Sequence, residues 1–382
     1  MWAGRSAVQE AYRAALACLP GMNPLALPRL LQLAEGERRL WDILKKGGDR
    51  AAALVGAEKA ASWAAECRST EPADVLEDLK RRGIGVMTPA DPPYSDRLRC
   101  IYDPPALLFT IGEEPPLEAP YVAVVGARKA SGYGRRVAAR IAEELARRGV
   151  VVVSGAAYGV DACAHLGCLK AGGFTVAVLG CGIDRVYPSS HAGLLASISS
   201  SGCVMSEYPP GEEPLPWHFP HRNRIIAGLS HAVVVVEASE KSGALITADM
   251  ALDEGREVMA LPGPVGSSLS RGTNRLIQKG AKLVLEIEDI CEELPATGVS
   301  SASAAASAAR EESEICELEA TPLERACAEL LRGIPRSLDW LAAHTGTSVA
   351  ELLACLAGMS LKGWVVEEPG GRYRLLSDRI LA

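Results

Sequence analysis

Several loops in the middle of the chain have the residue types that hold phosphate. Arg222-Asn223-Arg224 precedes an apolar, helix-like segment, Ile225–Leu229, and then the run Ala232 to Val236, which ends at Glu237. A β-branched run of that kind is the pattern of a strand buried on both faces. It is followed by small residues around Ser242 and Gly243, with Lys241 beside them and Thr247 in the helix that the loop opens. Ligands of α/β sheets bind where strands end and helix N–H groups face outward. A second such turn, Gly126-Ala127-Arg128-Lys129, follows the strand Val122–Val125. Together these read as a phosphate-recognition surface.

Competing chemistries fit less well. A dinucleotide fingerprint needs a second glycine two residues after the first, and here that residue is Arg128. The next strand ends at Ser154-Gly155 rather than at an acid for the ribose. An arginine on this turn suits a phosphate approached by a guanidinium fork. Ser230 lies between a helix-like segment and a strand, the reverse of a nucleophile elbow. Asp161 and His165, four apart, are too few for a metal, and Asp161 suits a helix start instead. No metal and no cofactor are expected. His218 and His221 read as solvated loop residues. The bland alternative for Arg222 and Arg224 is ion pairing with Glu207 or Glu212.

The chain of 382 residues, 48% hydrophobic, can bury a large core and more than one domain. Nothing approaches the roughly 18 consecutive apolar residues of a membrane span, and the first ten residues lack a secretory layout. Cytoplasmic residence is expected. The 11 cysteines form no Cys-x-x-Cys pair, so neither a zinc ribbon nor a disulfide framework is suggested. A net charge of −7 argues against indiscriminate duplex binding but allows a local basic groove.

The elements that must position these loops follow in order. Residues 1–70 read as a helical, SAM/helix-hairpin-helix-like module. Leu19-Pro20-Gly21 is similar to the tight turn of that motif, but Met22 favours an ordinary αα-hairpin. Residues 71–294 read as an extended Rossmann-like core. Strands are expected at Gly83–Thr88, Ala106–Ile111, Val122–Val125, Val150–Val153, Phe174–Leu179, Cys203–Ser206, Glu257–Leu261 and Lys282–Leu285, besides the valine strand. Helices between them imply a doubly wound α/β sheet. Residues 295–320 read as a flexible linker by composition. Residues 321–382 read as a winged helix, opened by the capping box Thr321-Pro322-Leu323-Glu324 and repeating that logic at Ser348–Glu351. Its last helix, Ser348 to Leu361, has Glu351 and no lysine or arginine, a poor face for a phosphate backbone.

The order of motifs resembles the DprA/Smf family of DNA-processing proteins. The matching residues are Val-Gly-Ala-Arg (125–128), Ser-Gly-Ala-Ala-Tyr-Gly-Val-Asp (154–161), Ala-Val-Leu-Gly-Cys-Gly-Ile-Asp (177–184) with Tyr187-Pro188, and Ser206-Glu207-Tyr208-Pro209. They continue through Phe-Pro-His-Arg-Asn-Arg-Ile-Ile-Ala-Gly-Leu-Ser (219–230), Ser242–Ala248, Leu261-Pro262-Gly263 and Gly272-Thr273-Asn274. The resemblance implies a Rossmann-like core that binds single-stranded DNA, dimerises, and loads the recombinase RecA in natural transformation and recombination. It makes Arg128, Arg222, Arg224, Ser242, Gly243 and Asn274 DNA contacts. The full expected set is Gly126, Arg128, Lys129, Gly155, Tyr187, Arg222, Asn223, Arg224, Lys241, Ser242, Gly243, Thr247 and Asn274. Tyr158 stands where the family usually has arginine, His191 where asparagine is usual, and Ser95 where proline is usual. A dimer surface is expected around Ile225–Leu229 and Leu276–Leu285.

The alternative is a nucleotide-processing enzyme or nucleotide sensor of the related phosphoribohydrolase-like group. Those enzymes place a glutamate three residues after the threonine of their Gly-Thr, and here that residue is Leu276. A binding protein is therefore expected rather than an enzyme.

Overall fold

Valine-rich segments become the centre of a sheet because both of their faces are apolar. The computed structural model describes residues 7–91, 94–295, 321–332, 335–361, 364–368 and 371–375. The strands are β1 (Gly85–Met87), β2 (Leu108–Gly112), β3 (Tyr121–Val125), β4 (Val151–Ser154), β5 (Thr175–Leu179), β6 (Cys203–Ser206), β7 (Ala232–Val235), β8 (Glu257–Ala260) and β9 (Lys282–Leu283). They form one sheet in the order β1-β2-β6-β5-β4-β3-β7-β8-β9. The β1–β2 and β2–β6 pairs are antiparallel and the rest parallel.

Period-two alternation divides the central strands between two cores. Ala123, Val125, Val233 and Val235 enter one apolar cluster, while Val122, Val124, Ala232 and Val234 enter the other. Helices α8 (Gly132–Arg147), α9 (Val160–Lys170) and α14 (Ile287–Cys291) lie on the second face. On the first lie α7 (Asp96–Arg99), α11 (His218–Leu229), α12 (Gly243–Asp253) and α13 (Arg271–Gln278). Ser95 caps α7, its hydroxyl accepting from Leu98 N at 3.4 Å.

Six helices precede the sheet: α1 (Ala7–Ala17), α2 (Leu27–Ala34), α3 (Glu37–Lys46), α4 (Asp49–Val55), α5 (Ala57–Ser69) and α6 (Pro72–Arg81). Their apolar cluster, with Leu16, Leu40 and Trp63 fully covered, continues through Leu76 and Phe109 to Ile198 of α10 (Ala192–Ser201). The described residues up to 295 fall in one compact unit and those from 321 in a second.

The second unit contains α15 (Pro322–Leu330), β10 (Arg336–Ser337), α16 (Leu338–Thr345), α17 (Val349–Leu361), β11 (Val365–Glu368) and β12 (Arg372–Leu375). Its sheet order is β10-β12-β11, the wing of a winged helix, over a core that includes Leu331, Leu341, Leu352 and Leu356. Thr321 and Glu324 form the expected capping box. Ser348 Oγ accepts from Glu351 N at 3.4 Å and donates to the Glu351 carboxylate at 2.8 Å. The linker 296–320 and the turn at 369–370 lie outside the described residues.

Three expectations are corrected here. The Arg-Asn-Arg cluster is not a loop before a short helix, because α11 already begins at His218 with Pro220 in its first turn, where a missing N–H costs no helical bond. His218 is buried and stacked on Tyr208 at 4.0 Å rather than solvated. Ile225–Leu229 cannot serve as a partner surface, since Ile225, Ile226, Ala227 and Leu229 are all interior. Of the other segment, Leu276 is buried while Leu285 is 80% exposed.

Candidate nucleic-acid interface

Strand order reverses at β3, whose neighbours are β4 and β7, and a crevice opens beyond the C-terminal ends of these strands. The crevice is a cavity of about 710 Å³. Its walls are the β3 loop Gly126–Lys129, the start of α9 (Ala157, Asp161), the first turns of α11 (Phe219, Pro220, Arg222, Asn223) and the start of α12 (Ser242, Gly243, Thr247). Helix starts present unsatisfied N–H groups and a positive dipole end, which favours anions. Ser242 caps α12, its hydroxyl accepting from Ala244 N at 3.4 Å. Thr247 is buried beneath it.

Arg128 is exposed and makes no hydrogen bond to a described residue. Its guanidinium lies 5.5 Å from the Phe219 ring centre, a cation–π contact that holds the head without using its donors. Lys129 beside it is exposed as well. The loop that presents them is fixed from two sides. Ala127 N donates to Glu237 O at 2.7 Å, and Val160 N donates to Ala127 O at 3.3 Å. Gly159, at φ +79°, fits beneath, where a Cβ would strike the carbonyl oxygens of Ala127 and Arg128.

Arg222 is buried. Its Nη1 donates to Gly155 O at 2.9 Å and to Val178 O, tying α11 to the ends of β4 and β5. Gly155 leaves room for this: a Cβ there would lie 2.6 Å from Arg222 Nη2 and 2.8 Å from Asp161 Oδ2. Burial pushes the Arg222 pKa down to about 10 while Asp161 pulls it up, so it is cationic at neutral pH. Burial raises the Asp161 pKa against the pull of Arg222. Asn223 completes this wall, its amide donating to Gly243 O at 3.4 Å.

The neighbouring helix start is already occupied. Glu237, at the end of the valine strand, accepts from Ser131 N at 2.8 Å and from Ser131 Oγ at 2.6 Å. Its carboxylate lies against Gly134 in the first turn of α8. A dinucleotide pyrophosphate would need that position.

Of the expected residues, Gly126, Arg128, Lys129, Tyr187, Arg222, Asn223, Ser242, Gly243 and Thr247 line the cavity. Gly155 lines an adjoining hollow with Tyr158, Tyr187 and Phe219. Arg224 does not reach either and is a correction. Two residues along a helix is a turn of about 200°, so Arg224 leaves α11 on the side opposite Arg222. There its Nη2 donates to both oxygens of buried Glu207, at 2.7 and 2.8 Å. Asn274 is also corrected. Its amide grips Gly263, donating to Gly263 O at 2.9 Å and accepting from Gly263 N at 3.1 Å, and it faces a separate hollow beside Arg271 and Arg275. Lys241 is exposed on the turn before α12 and outside the cavity wall.

Among the wall residues outside the expected set, Phe219 and Asp161 carry chemistry. Phe219 lies three before Arg222, a helical neighbour once α11 is extended back to His218. Asp161 is drawn beside Arg222 by the turn at Gly155, a long-range pairing with no local signal.

The rim has two partly exposed tyrosines. Tyr187 is 40% exposed and lies 5.2 Å from Phe219. Tyr158, 49% exposed, meets Ser190 Oγ through its hydroxyl at 3.0 Å and the edge of His191 at 4.9 Å. His191 Nδ1 in turn donates to Ala156 O at 3.0 Å.

Comparison with known proteins agrees with this architecture. The family described as DNA recombination-mediator protein A matches residues 85–295, and the DprA winged helix domain matches residues 302–371. The chain belongs to the DNA recombination-mediator protein A family. The DNA processing protein DprA of Bacillus subtilis is 42% identical over 226 residues, 59% of this chain and 76% of that one. The X-ray structure of DprA from Streptococcus pneumoniae superposes with a TM-score of 0.64 at 36% identity, covering 76% of this chain and 99% of that one. DNA processing protein A from Helicobacter pylori, whose structure describes a single-stranded DNA binding mode, matches with a TM-score of 0.50 at 29% identity. That match covers 55% of this chain and 94% of the other.

Within the described residues no group of three histidine, cysteine, aspartate or glutamate side chains is placed to hold a metal. No helix among them is long and apolar enough to cross a membrane.

Proposed function

We propose that the chain binds single-stranded DNA in the cavity beyond β3 and β7 and presents that strand to a RecA-type recombinase, acting as a homodimer rather than as an enzyme. The observation that carries the reading is Arg128: an exposed guanidinium, free of protein acceptors, held on an aromatic ring over a cavity walled by helix starts. Family membership and the Helicobacter pylori relative support single-stranded DNA as the polymer. Arg128, Lys129 and buried Arg222 give roughly three phosphate contacts. Log K should then fall with log salt at a slope of about −2, using −0.7 per phosphate for single strands.

Tyr187 and Phe219 offer stacking surfaces that accept any base, so sequence preference is weak. Buried Leu276 occupies the place where a phosphoribohydrolase has its carboxylate, which supports binding over turnover.

Anisotropy of a labelled oligothymidine, titrated at several salt concentrations, tests the site. Wild type should show the slope, and Arg128→Ala should weaken binding and flatten it by about 0.7. Normal binding by Arg128→Ala would place the strand elsewhere. Competition by a mononucleotide at concentrations equal in phosphate would favour a nucleotide enzyme or sensor instead. Light scattering that reports a monomer across micromolar concentrations would remove the dimer.

A further inference from the structure

The cations around the cavity do not stop at its wall. Arg135, Arg136 and Arg140 follow on α8, all exposed and none bonded to a described residue. Tyr133, Arg136 and Arg140 are spaced i, i+3, i+7 and so share one helix face. Arg136 folds back toward the helix start, its Nη1 3.5 Å from the Cβ position of Gly132, three residues after Lys129 of the cavity loop. Tyr133 on this face is 51% exposed.

This is not an ordinary solvated helix. Its C-terminal half neutralises its own charge: Arg147 pairs with Glu143 and Glu144, Arg148 with Glu144 and Glu288, and Lys170 with Glu143. Toward the start of α8, Arg135 and Arg136 instead have no side-chain partner among the described residues and lie near the positive end of the helix dipole, which disfavours cations. Cations placed against the dipole without internal partners are compensated when an external anion binds across them. Successive positions four apart are about 6 Å apart along the axis. A line of guanidinium groups with an exposed aromatic among them is the makeup of a single-strand track.

We propose that the face of α8 bearing Tyr133, Arg136 and Arg140 is an exit track for single-stranded DNA, continuing from Arg128 and Lys129 out of the cavity. The inference rests on the cavity being the primary binding site. The track makes affinity depend on strand length: a short strand fills the cavity alone, and a longer one also crosses α8.

Labelled dT6 and dT20 titrated by anisotropy across a salt series separate the two sites. Wild type should bind dT20 with a salt slope steeper than that for dT6 by about 1.4, two phosphates at 0.7 each, or about 25-fold in affinity between 1 M and 0.1 M salt. The double variant Arg136→Gln, Arg140→Gln should bind dT6 as wild type does and lose the extra slope on dT20. Arg136→Lys, Arg140→Lys should retain it. A glutamine variant with wild-type slope on dT20 overturns the track while leaving the cavity reading intact. Arg128→Ala that binds dT6 normally overturns the cavity reading instead, and a wild type that binds neither length removes both.

Discussion

Arg222, Arg224 and Arg128 show how three arginines of one motif set acquire three different tasks. Arg224 faces Glu207, whose pKa burial raises against the pull of that arginine, so the pair is one of buried charges. Arg224→Ala leaves an unpaired buried carboxylate and should cost about 3–5 kcal/mol in urea denaturation. Arg128→Ala, at an exposed site, should stay within about 0.5 kcal/mol of wild type while losing DNA affinity. Equal stability losses in the two variants would contradict this division. His165 gives a pH signature of the same interior. Thr175 Oγ1 donates to Val152 O and accepts from His165 Nδ1, and burial pushes the imidazole down to about 3 from its ordinary 6.5. The folded state thus holds it neutral. Its contribution is complete above pH 6.5 and is lost as pH falls from 6.5 toward 3, at about 1.4 kcal/mol per unit. Stability measured at pH 7.5, 6.5 and 5.5 should decline less steeply in His165→Gln than in wild type. Tyr158 and His191, two departures from the resembled pattern, touch each other, so replacing either alone disturbs the other.

At the scale of elements, the sheet was legible in the sequence and one helix was not. Valine runs and the glycines that end them locate the strands within a residue or two, because burial on both faces leaves no polar residue to blur the pattern. The start of α11 was hidden by Pro220 and by a polar cluster that reads as loop. Missing that first turn hid which way each arginine points, and with it the separation of Arg224 from the cavity. Asn274 lies apart from the cavity for a different reason: only the folded loop turns both hydrogen-bonding groups of Gly263 toward its amide side chain. One tight constraint between elements is at Gly159, where the start of α9 meets the loop after β3. Gly159→Ala, with φ at +79° and no space for a methyl, should destabilise by about 1–3 kcal/mol. Because that loop carries Arg128, the variant should also weaken oligonucleotide binding even where it is fully folded, as monitored by circular dichroism. Folded Gly159→Ala with wild-type affinity would show that the loop needs no such support.

For the whole molecule, the two compact units differ in the chemistry of their surfaces. The unit from 321 has its own core, and α17, the helix that would enter a DNA groove, shows Val349 and Leu353 to solvent and no cation. Truncation after Pro295 should leave oligonucleotide affinity nearly unchanged in the same anisotropy assay, and loss of most binding would assign the tail a role in DNA contact. The chain as a whole is acidic, so on the proposed reading its attraction for a polyanion would come from a small part of the first unit. Glu237 determines what else can enter there. With its carboxylate held by Ser131 N and Oγ at the N-cap of α8, Glu237 puts a negative charge where dinucleotide enzymes hold a phosphate. On the proposed reading a single strand engages the neighbouring cations instead, so free nucleotides would be poor rivals for the polymer. Glu237→Gln, which keeps the shape and removes the charge, should make oligonucleotide binding newly sensitive to millimolar AMP, whereas wild type should be indifferent to it. On that reading the resident carboxylate would be a filter against small-molecule background, set two residues past the strand at the centre of the sheet.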